Sequence, residues 1–353
     1  MATPQNKGTV LVTGAGGYVG GQIVREALES GYSVRITART ESSATRTISH
    51  YPSYTSLLSY TLVPDMRVLE SYAAAFADGT IVGIVHSASP LIFNPQDNVR
   101  DLLDPAVKGA TTILEAALKY GGGKVKRVVA TSSFAAVVDP AKGTRPGHTY
   151  DEKDWNPVTW EGAVKAQKVI AYVSSKALAE RAMWAWIDAH PDSGITLATI
   201  CPPWVFGPYA HVPSSSAALS ESVQLLNNII DNPSIPAFDF GGYADSREVA
   251  AAHVRALEVP EAAGQRFLIG QDFRYQAAVD AAREELPEAR ERLPVGKTGD
   301  WTPEDAYHVD GSKATRMLGL KYGTLKDTVV ETYKHSFRKN RWFERRVVQP
   351  GYD

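Results

Sequence analysis

The segment TVLVTGAGGYVGGQIVREALES, residues 9–30, decides the fold of this chain. Its first five residues are apolar or β-branched, a glycine-rich turn follows, and a helical pattern begins directly after the turn. Gly14, Gly17 and Gly20 have a G-x-x-G-x-x-G spacing. Glycines at such positions permit a tight turn, a close approach of backbone to a pyrophosphate, and close packing of helix on strand. The segment therefore predicts a strand, a turn and a helix whose N-terminus binds the phosphates of a dinucleotide.

The order of elements before residue 201 is typical of a sheet covered by helices on both sides. Short β-branched runs, apolar on both faces, alternate with longer helical patterns, as in parallel sheets. The strands are predicted at 9–13, 33–38, 60–64, 81–89, 127–133 and 195–201, and helices at 18–30, 102–120 and around residue 172. The predicted fold class is α/β, a doubly wound parallel sheet of the Rossmann type with a smaller C-terminal substrate lobe.

The alternation loosens after Cys201, where Pro, Ser and Ala become frequent and helical stretches follow without regular strands. We therefore expect a dinucleotide-binding domain over residues 1–203 plus about 240–262. Residues 204–239 and 263–353 are expected to form the substrate-binding lobe. Ligands of open α/β sheets bind at the carboxyl ends of the strands, so the lobe would close over that edge.

Composition excludes several classes of partner. The formal net charge is −2 and no basic stripe is present, so nucleic acid is not an expected partner. No run approaches the roughly 18 apolar residues of a membrane span. Cys201 is the single cysteine, which rules out an intramolecular disulfide and a cysteine-based zinc site; no metal is expected. The N-terminus is polar, without a secretory signal, and a cytoplasmic location is expected. The one dense basic run, 337–346, is expected to follow the last helix.

The end of the second strand bears on the choice of dinucleotide. An acidic residue there would bind the ribose 2′-hydroxyl of NAD, whereas this chain has Arg39. A planar guanidinium suits the 2′-phosphate of NADP. Glu41, two residues later, keeps NAD(H) as the alternative. The sequence therefore favours NADP(H).

Several motifs together resemble a known family. They are the glycine turn, VVATSSFAAV at 128–137, AYVSSK at 171–176 and CPPWVFGP at 201–208, supported by HSASP at 86–90, FGGYADSREVAAAH at 240–253 and VDGSKATRMLGL at 309–320. They resemble the extended short-chain dehydrogenase/reductase superfamily. Within it, they are similar to the dihydroflavonol reductase-like branch and its fungal NADPH-dependent methylglyoxal/isovaleraldehyde reductases. The likeness covers nearly the whole chain.

The resemblance implies a role for each matching residue. Ser133 would bind the substrate carbonyl oxygen, Tyr172 would donate the proton, and Lys176 would hold the nicotinamide ribose and set the acidity of the tyrosine. The expected cofactor contacts are Gly14, Gly17, Tyr18, Val19, Gly20, Arg39, Asp65, Met66, His86, Ser87, Ala88, Thr131, Tyr172, Lys176, Pro202 and Val205. Among them, Asp65 and Met66 would contact the adenine, and Pro202 and Val205 would pack beside the nicotinamide.

Two positions depart from the fungal pattern. Ser43 stands where those reductases often have a lysine that adds to phosphate binding; Arg46 is the residue that could reach instead. Trp204 stands where a smaller or tyrosyl residue is usual, which leaves the identity of the substrate open. The candidate substrate contacts are Phe134, Val138, Val169 and Trp204, for which packing in the core is the competing interpretation.

The spacing of Tyr172 and Lys176 has a chemical reason. Four residues are just over one helical turn, so the two side chains share a face. Hydride transfer to a carbonyl leaves charge on oxygen, which a proton donor must neutralise. Lowering the pKa of tyrosine from about 10 toward 7 takes about 4 kcal/mol, which an ammonium roughly 4 Å away supplies at an effective dielectric near 20. The pair therefore predicts a tyrosine acid assisted by a lysine.

The leading hypothesis is an NADPH-dependent oxidoreductase that reduces an apolar aldehyde or ketone, reversibly, with this carbonyl compound as its small-molecule partner. One alternative is a cofactor-recycling epimerase or dehydratase of the same fold, although residues 211–231 contain none of the Arg and Lys that a diphosphate would need. Another is a non-catalytic dinucleotide-binding redox sensor, which would typically lack the Tyr–Lys pair. Asp245 and Arg247 are expected to form a structural ion pair or a helix cap. Whether the protein is a monomer or a homodimer is left open.

Overall fold

A computed structural model describes residues 6–89, 95–211, 213, 218–301 and 303–347 of the chain. Its strands are β1 (Thr9–Thr13), β2 (Ser33–Ala38), β3 (Leu58–Leu62), β4 (Ile81–His86), β5 (Arg127–Thr131), β6 (Thr149–Tyr150), β7 (Thr196–Cys201), β8 (Trp204–Phe206), β9 (Gly242–Asp245), β10 (Gln265–Leu268), β11 (Gln271–Asp272) and β12 (His308–Val309). Its helices are α1 (Tyr18–Glu29), α2 (Glu41–Ser49), α3 (Ala73–Phe76), α4 (Asp104–Tyr120), α5 (Trp160–Lys165), α6 (Lys168–Ala189), α7 (Glu221–Asn227), α8 (Ser246–Glu258), α9 (Tyr275–Glu285), α10 (Pro287–Arg292), α11 (Ser312–Leu318) and α12 (Leu325–Val347).

The centre of the molecule is a seven-stranded parallel sheet in the order β10-β7-β5-β4-β1-β2-β3. The chain runs outward from β1 to β3, returns to β4 on the other side of β1, and continues outward to β10. The strand order therefore reverses between β1 and β4, and the connections leave a crevice at the carboxyl ends of these strands. The predicted doubly wound α/β fold is confirmed.

Helices cover both faces of this sheet. On one face, α1 and α8 pack against each other and against a core that includes Val12, Ile23 and Val254. On the other face, α4 and α6 form the corresponding pair over a core that includes Ile113 and Met183. Strands buried on both faces need apolar residues throughout, which accounts for the continuous apolar runs in the sequence.

The structure corrects the expectation that the chain after Cys201 lacks regular strands. Five short strands, β8 to β12, follow that residue. The run 265–268, which we assigned to the lobe, pairs in parallel with β7 and forms an edge of the central sheet. This strand has only four residues and lies between helices, so periodicity in the sequence did not reveal it. The division into two lobes stays a prediction.

The remaining elements surround the carboxyl ends of the sheet. Strand β9 joins β8 in parallel and β11 in antiparallel orientation, and α12 packs on α9 and α7. Phe206, Leu226 and Tyr333 lie in the apolar core of this region. The basic run 337–346 lies within α12 rather than after it, which corrects our expectation. None of the described helices is both long and apolar enough to cross a membrane.

Candidate active site

The glycine turn between β1 and α1 forms a cradle that a larger residue would fill. Gly14 has a positive φ of 72°, and a Cβ atom there would lie 2.7 Å from the backbone nitrogen of Ala88 and 2.8 Å from the carbonyl carbon of Ser87. A Cβ on Gly20 would collide with the carbonyl oxygen of Gly14. Gly17 is the N-cap of α1, and no side chain caps the first turn of the helix. The first N–H groups of α1 are thus available to an anion, and the turn fits a dinucleotide pyrophosphate.

Two other predicted contacts near this turn have structural partners. The Tyr18 hydroxyl donates to the carbonyl oxygen of Gly207 at 2.8 Å, and its ring lies 4.3 Å from that of Tyr209. Val19 is half-buried and packs on the apolar cores beside α1. The contacts of Tyr18 and Val19 with the cofactor stay predictions.

The end of β4 is tied to the end of β1 by a buried histidine. The ring nitrogen Nδ1 of His86 lies 2.9 Å from Oγ1 of Thr13, and the same hydroxyl oxygen accepts from the N–H of Ala88 at 3.0 Å. Burial, together with the charge of Lys176, lowers the pKa of His86 to about 4. The imidazole is therefore neutral at physiological pH, and its visible role is to shape the turn through Ser87 and Ala88.

The segment after β2 carries the residues on which the predicted choice between NADP and NAD depends. Arg39 is exposed at the end of the strand. Glu41, the residue that would support NAD, accepts a hydrogen bond from the hydroxyl of Tyr60 at 3.1 Å. Ser43 forms a capping box with Thr40, in which its N–H donates to Oγ1 of Thr40 at 3.2 Å. Ser43 thus stabilises the start of α2, and the contact of Arg39 with a 2′-phosphate stays a prediction.

The predicted adenine contacts lie after β3. Arg67 binds the carboxylate of Asp65 through Nε at 2.9 Å and Nη2 at 2.7 Å. These hydrogen bonds, joined by that from the Arg67 N–H, lower the pKa of Asp65 to about 2. Met66 packs on α4, where a Cβ on Gly109 would collide with its methyl group. Both Asp65 and Met66 are half-buried, and their contact with adenine stays a prediction.

Helix α6 carries the predicted proton donor and its lysine. The Nζ atom of Lys176 donates to Oγ of Ser89 at 2.7 Å and lies 5.2 Å from the ring centroid of Tyr172. Ser133 follows β5 and caps the short turn Phe134–Ala136, where its Oγ accepts from the N–H of Ala135 at 3.1 Å. This turn packs against α6. The structure therefore brings the elements that carry Ser133, Tyr172 and Lys176 together at the carboxyl end of the sheet.

The electrostatics of the pair differ from our expectation. Burial raises the pKa of Tyr172 well above its ordinary value, and the carboxylate of Glu221 adds to the rise. Burial also lowers the pKa of Lys176 to about 8, against a smaller opposing effect of Glu221. The expected lowering of the Tyr172 pKa by Lys176 is therefore wrong for the chain alone, because withdrawal from water favours the neutral form of both groups. Tyr172 is accordingly a protonated acid.

Two carboxylates that were not predicted as site residues are connected to this pair, Glu221 directly and Asp239 through Glu221. Glu221 lies in the first turn of α7, and burial raises its pKa, partly offset by Lys176 and increased by Asp239. Asp239 accepts from the hydroxyl of Tyr275 at 3.0 Å, and burial raises its pKa as well. An N-cap serine before Glu221 signals the helix start, but only the folded chain brings α7 to α6.

The candidate substrate contacts differ in exposure. Phe134 is 0% exposed and packs on Tyr150 and Phe240, with ring centroids 5.5 and 4.9 Å away. Val138 is buried as well, whereas Val169 on the first turn of α6 is 66% exposed. Trp204 is half-buried against Phe240, with centroids 5.1 Å apart. Phe134 and Val138 are thus core residues in this structure, and Val169 and Trp204 remain the accessible candidates. Phe240, whose ring contacts both Phe134 and Trp204, was not among the predicted residues.

The other predicted cofactor contacts support the backbone around the site. Oγ1 of Thr131 lies 2.7 Å from Nε2 of His253. The carbonyl oxygen of Pro202 accepts from the N–H of Phe134 at 2.9 Å, and the N–H of Val205 donates to Oγ of Ser222 at 3.1 Å. These hydrogen bonds join the end of β5 to α8, the turn after β5 to the residue after β7, and β8 to α7.

The expected role of Asp245 and Arg247 is confirmed. Asp245 is the N-cap of α8, in a capping box with Glu248, and also forms a salt bridge with Arg247 at 2.8 Å. Cys201 is buried with a free thiol, whose pKa burial raises. Within the described part of the chain, no group of three or more His, Cys, Asp or Glu residues is arranged to hold a metal ion.

Comparison with known proteins defines the class to which this fold and site belong. The family model of the NAD dependent epimerase/dehydratase family matches residues 10–270. The chain belongs to this family. The predicted relationship to the extended short-chain dehydrogenases/reductases is confirmed.

Several similar proteins have names that describe them as reductases. The chain is 36% identical to NADPH-dependent methylglyoxal reductase GRE2 of Saccharomyces cerevisiae, over 92% of this chain and 96% of that protein. It is also 36% identical to ketoreductase azaE of Aspergillus niger, over 91% and 95%. The crystal structure of yeast methylglyoxal/isovaleraldehyde reductase Gre2 complexed with NADPH superposes with a TM-score of 0.87 at 34% identity, covering 96% and 99% of the two chains. Vestitone reductase from alfalfa gives 0.74 at 25% identity, covering 95% and 99%.

Proposed function

We propose that this protein is an NADPH-dependent reductase that transfers a hydride to the carbonyl carbon of an apolar aldehyde or ketone, and catalyses the reverse oxidation. The observation that carries the proposal is the placement of Tyr172 and Lys176 on one helix beside Ser133, at the sheet edge where the glycine turn fits a dinucleotide. The similarity to reductases with NADPH in their names agrees with the predicted enzyme class and cofactor.

The chain's own residues divide the work of the reaction. Bound NADPH supplies the hydride. Ser133 Oγ donates a hydrogen bond to the carbonyl oxygen and polarises the bond. Tyr172 then gives its hydroxyl proton to that oxygen as negative charge develops there. The Lys176 ammonium binds the nicotinamide ribose and favours the phenolate that Tyr172 becomes, because opposite charges attract strongly in a half-buried site.

The carboxylates near Tyr172 disfavour the epimerase alternative. Glu221 lies close enough to Tyr172 and Lys176 to raise the pKa of both, and the Asp239 carboxylate adds to the rise that burial causes in the pKa of Glu221. A nucleotide-sugar substrate carries a diphosphate, which these charges would repel. Tyr60 donates a hydrogen bond to Glu41, the residue on which the NAD alternative depends. The proposed partner is a small carbonyl compound, and the cytoplasmic location stays a prediction.

The proposal is tested by mixing the protein with NADPH, and separately with NADH, and following cofactor oxidation against a panel of apolar aldehydes and ketones. We expect oxidation of NADPH in preference to NADH. Tyr172→Phe should lose at least about 100-fold in kcat, the lower end of a general acid's contribution, while its affinity for NADPH stays unchanged. Binding of NADPH without oxidation by any carbonyl compound would overturn the proposal and favour a cofactor-binding sensor.

A further inference from the structure

A third residue shares the helical face of Tyr172 and Lys176. Glu180 follows them on α6 by eight and four residues, so it lies on the same side two turns below the tyrosine. It is only 2% exposed. Carboxylates are almost never fully buried unless they are paired, so its partners are informative.

The Glu180 carboxylate joins α6 to three strands of the central sheet. Oε2 accepts from Oγ of Ser132, at the end of β5, at 2.6 Å. Oε1 accepts from Oγ1 of Thr199 in β7 at 2.7 Å and from Nε of Arg266 in β10 at 2.7 Å. Both partners of the salt bridge are buried, with exposed side-chain fractions of 1% and 9%.

The guanidinium of Arg266 also has partners other than Glu180. It lies 3.5 Å from the ring centroid of Trp155 and donates to the carbonyl oxygens of Glu152 and Asp154, both at 2.8 Å. A buried ion pair gains little net stability, because the cost of removing both charges from water offsets their attraction. The position of this pair, on the face of α6 that carries Tyr172 and Lys176, therefore calls for a reason other than stability.

We propose that Glu180 is a positioning residue for the reduction, which rests on the function proposed above. Ser132 immediately precedes Ser133, so the hydrogen bond from Ser132 to Glu180 fixes the end of β5 to the helix that carries Tyr172 and Lys176. This connection sets the distance between the oxygen that polarises the carbonyl and the oxygen that donates the proton. Misplacement by about 1 Å in such a constellation costs on the order of 100-fold in rate.

Two single substitutions separate this role from ordinary stabilisation. Ser132→Ala and Thr199→Val each remove one hydroxyl donor from the same carboxylate, but only the first breaks the connection to Ser133. We expect similar losses in Tm for both variants. Ser132→Ala should lower kcat at least about tenfold, with the affinity for NADPH changed less than twofold. Thr199→Val should leave kcat within about twofold of wild type.

The kcat ratio of the two variants decides the matter. Equal kcat values for the two variants, or kcat losses that follow the losses in Tm in both, would overturn the positioning role. The proposed reductase function would still stand if the wild-type protein reduces carbonyl compounds and Tyr172→Phe does not. Crystal structures of the two variants give a second readout that needs no turnover. Displacement of Ser133 relative to Tyr172 in Ser132→Ala alone supports the proposal, and an unmoved Ser133 contradicts it.

Discussion

At the scale of single residues, burial is the main determinant of the chemistry of the site. Tyr172 stays protonated and Lys176 loses basicity because both lie in a cleft with little water, and the nearest acidic group, Glu221, acts on both. A neutral acid and a weakly basic amine suit a reaction that hands a proton from tyrosine to substrate oxygen. The positive charge that stabilises the phenolate then has its full effect only when substrate and cofactor exclude the remaining water.

Burial of Lys176 has a measurable cost in stability. Its pKa falls from the ordinary 10.5 to about 8, so the unfolded chain binds the extra proton between these values and stability rises with pH across that interval. Lys176→Met should therefore be more stable than wild type at pH 7, by on the order of 1 kcal/mol. This advantage should fade as pH rises toward 10. Thermal unfolding between pH 7 and 10 checks the prediction, and Lys176→Arg, which keeps the charge, should show no gain.

The preference for NADPH is predicted to rest on Arg39. Arg39→Ala should raise the Kd for NADPH about tenfold or more, since a charge-assisted hydrogen bond to phosphate is lost. The Kd for NADH should change less than about threefold by the same reasoning. Glu41→Gln serves as the control, because Tyr60 engages that carboxylate, and should alter neither value. Titration calorimetry measures both. If Arg39→Ala raised the Kd for NADPH and the Kd for NADH equally, Arg39 would not bind the 2′-phosphate.

At the scale of elements, the N-cap residue of α8 connects two helices. Asp245 caps α8 by accepting from the N–H of Arg247 at 2.9 Å, and it also accepts from Oγ1 of Thr328 in α12 at 2.9 Å. The cap thereby connects the helix under the sheet to the C-terminal helix. Such a residue acts through stability, because none of these hydrogen bonds touches Ser133, Tyr172 or Lys176.

Removal of this cap is predicted to unfold the protein more easily without altering its chemistry. Asp245→Ala should lose about 2 kcal/mol or more, the value of an N-cap together with a buried hydrogen bond. Asp245→Asn keeps a capping oxygen and should lose less. Urea unfolding measures both variants, while kcat per folded molecule should stay at the wild-type value. A kcat loss that exceeds the loss of folded protein would place Asp245 closer to the site than we infer.

At the scale of the whole molecule, features set by neighbouring residues could be predicted from the sequence, whereas contacts between distant segments could not. The glycine turn and the Tyr–Lys pair are set by neighbouring residues, and the structure places them as expected. Strand β10, the carboxylates Glu221 and Asp239, and the link from Glu180 to Ser132 depend on segments tens of residues apart. The periodicity of the sequence does not show which distant segments come into contact. The expected sign of the Tyr172 shift failed for the same reason, since it depends on burial by the folded chain.

The position of Glu221 in α7 near Tyr172 and Lys176 in α6 predicts an effect on the pH dependence of the reaction. Glu221 raises the pKa of both Tyr172 and Lys176. Glu221→Gln, of nearly the same shape, removes that charge, so both pKa values should fall. The alkaline decline of kcat should consequently move to lower pH, while the affinity for NADPH is retained. A pH–rate profile from pH 6 to 11 measures the shift. An unchanged alkaline limb would mean that the carboxylate does not act on the pair.

The central claim is direct hydride transfer to a carbonyl carbon. We would first react the protein with an apolar ketone and NADPH labelled with deuterium at nicotinamide C4, using each face-specific isomer in turn, and analyse the product by mass spectrometry. The account predicts an alcohol with one deuterium on its carbinol carbon from one isomer, and no such product from Tyr172→Phe. Alcohol without deuterium from both isomers, or no alcohol from any ketone or aldehyde, would contradict it.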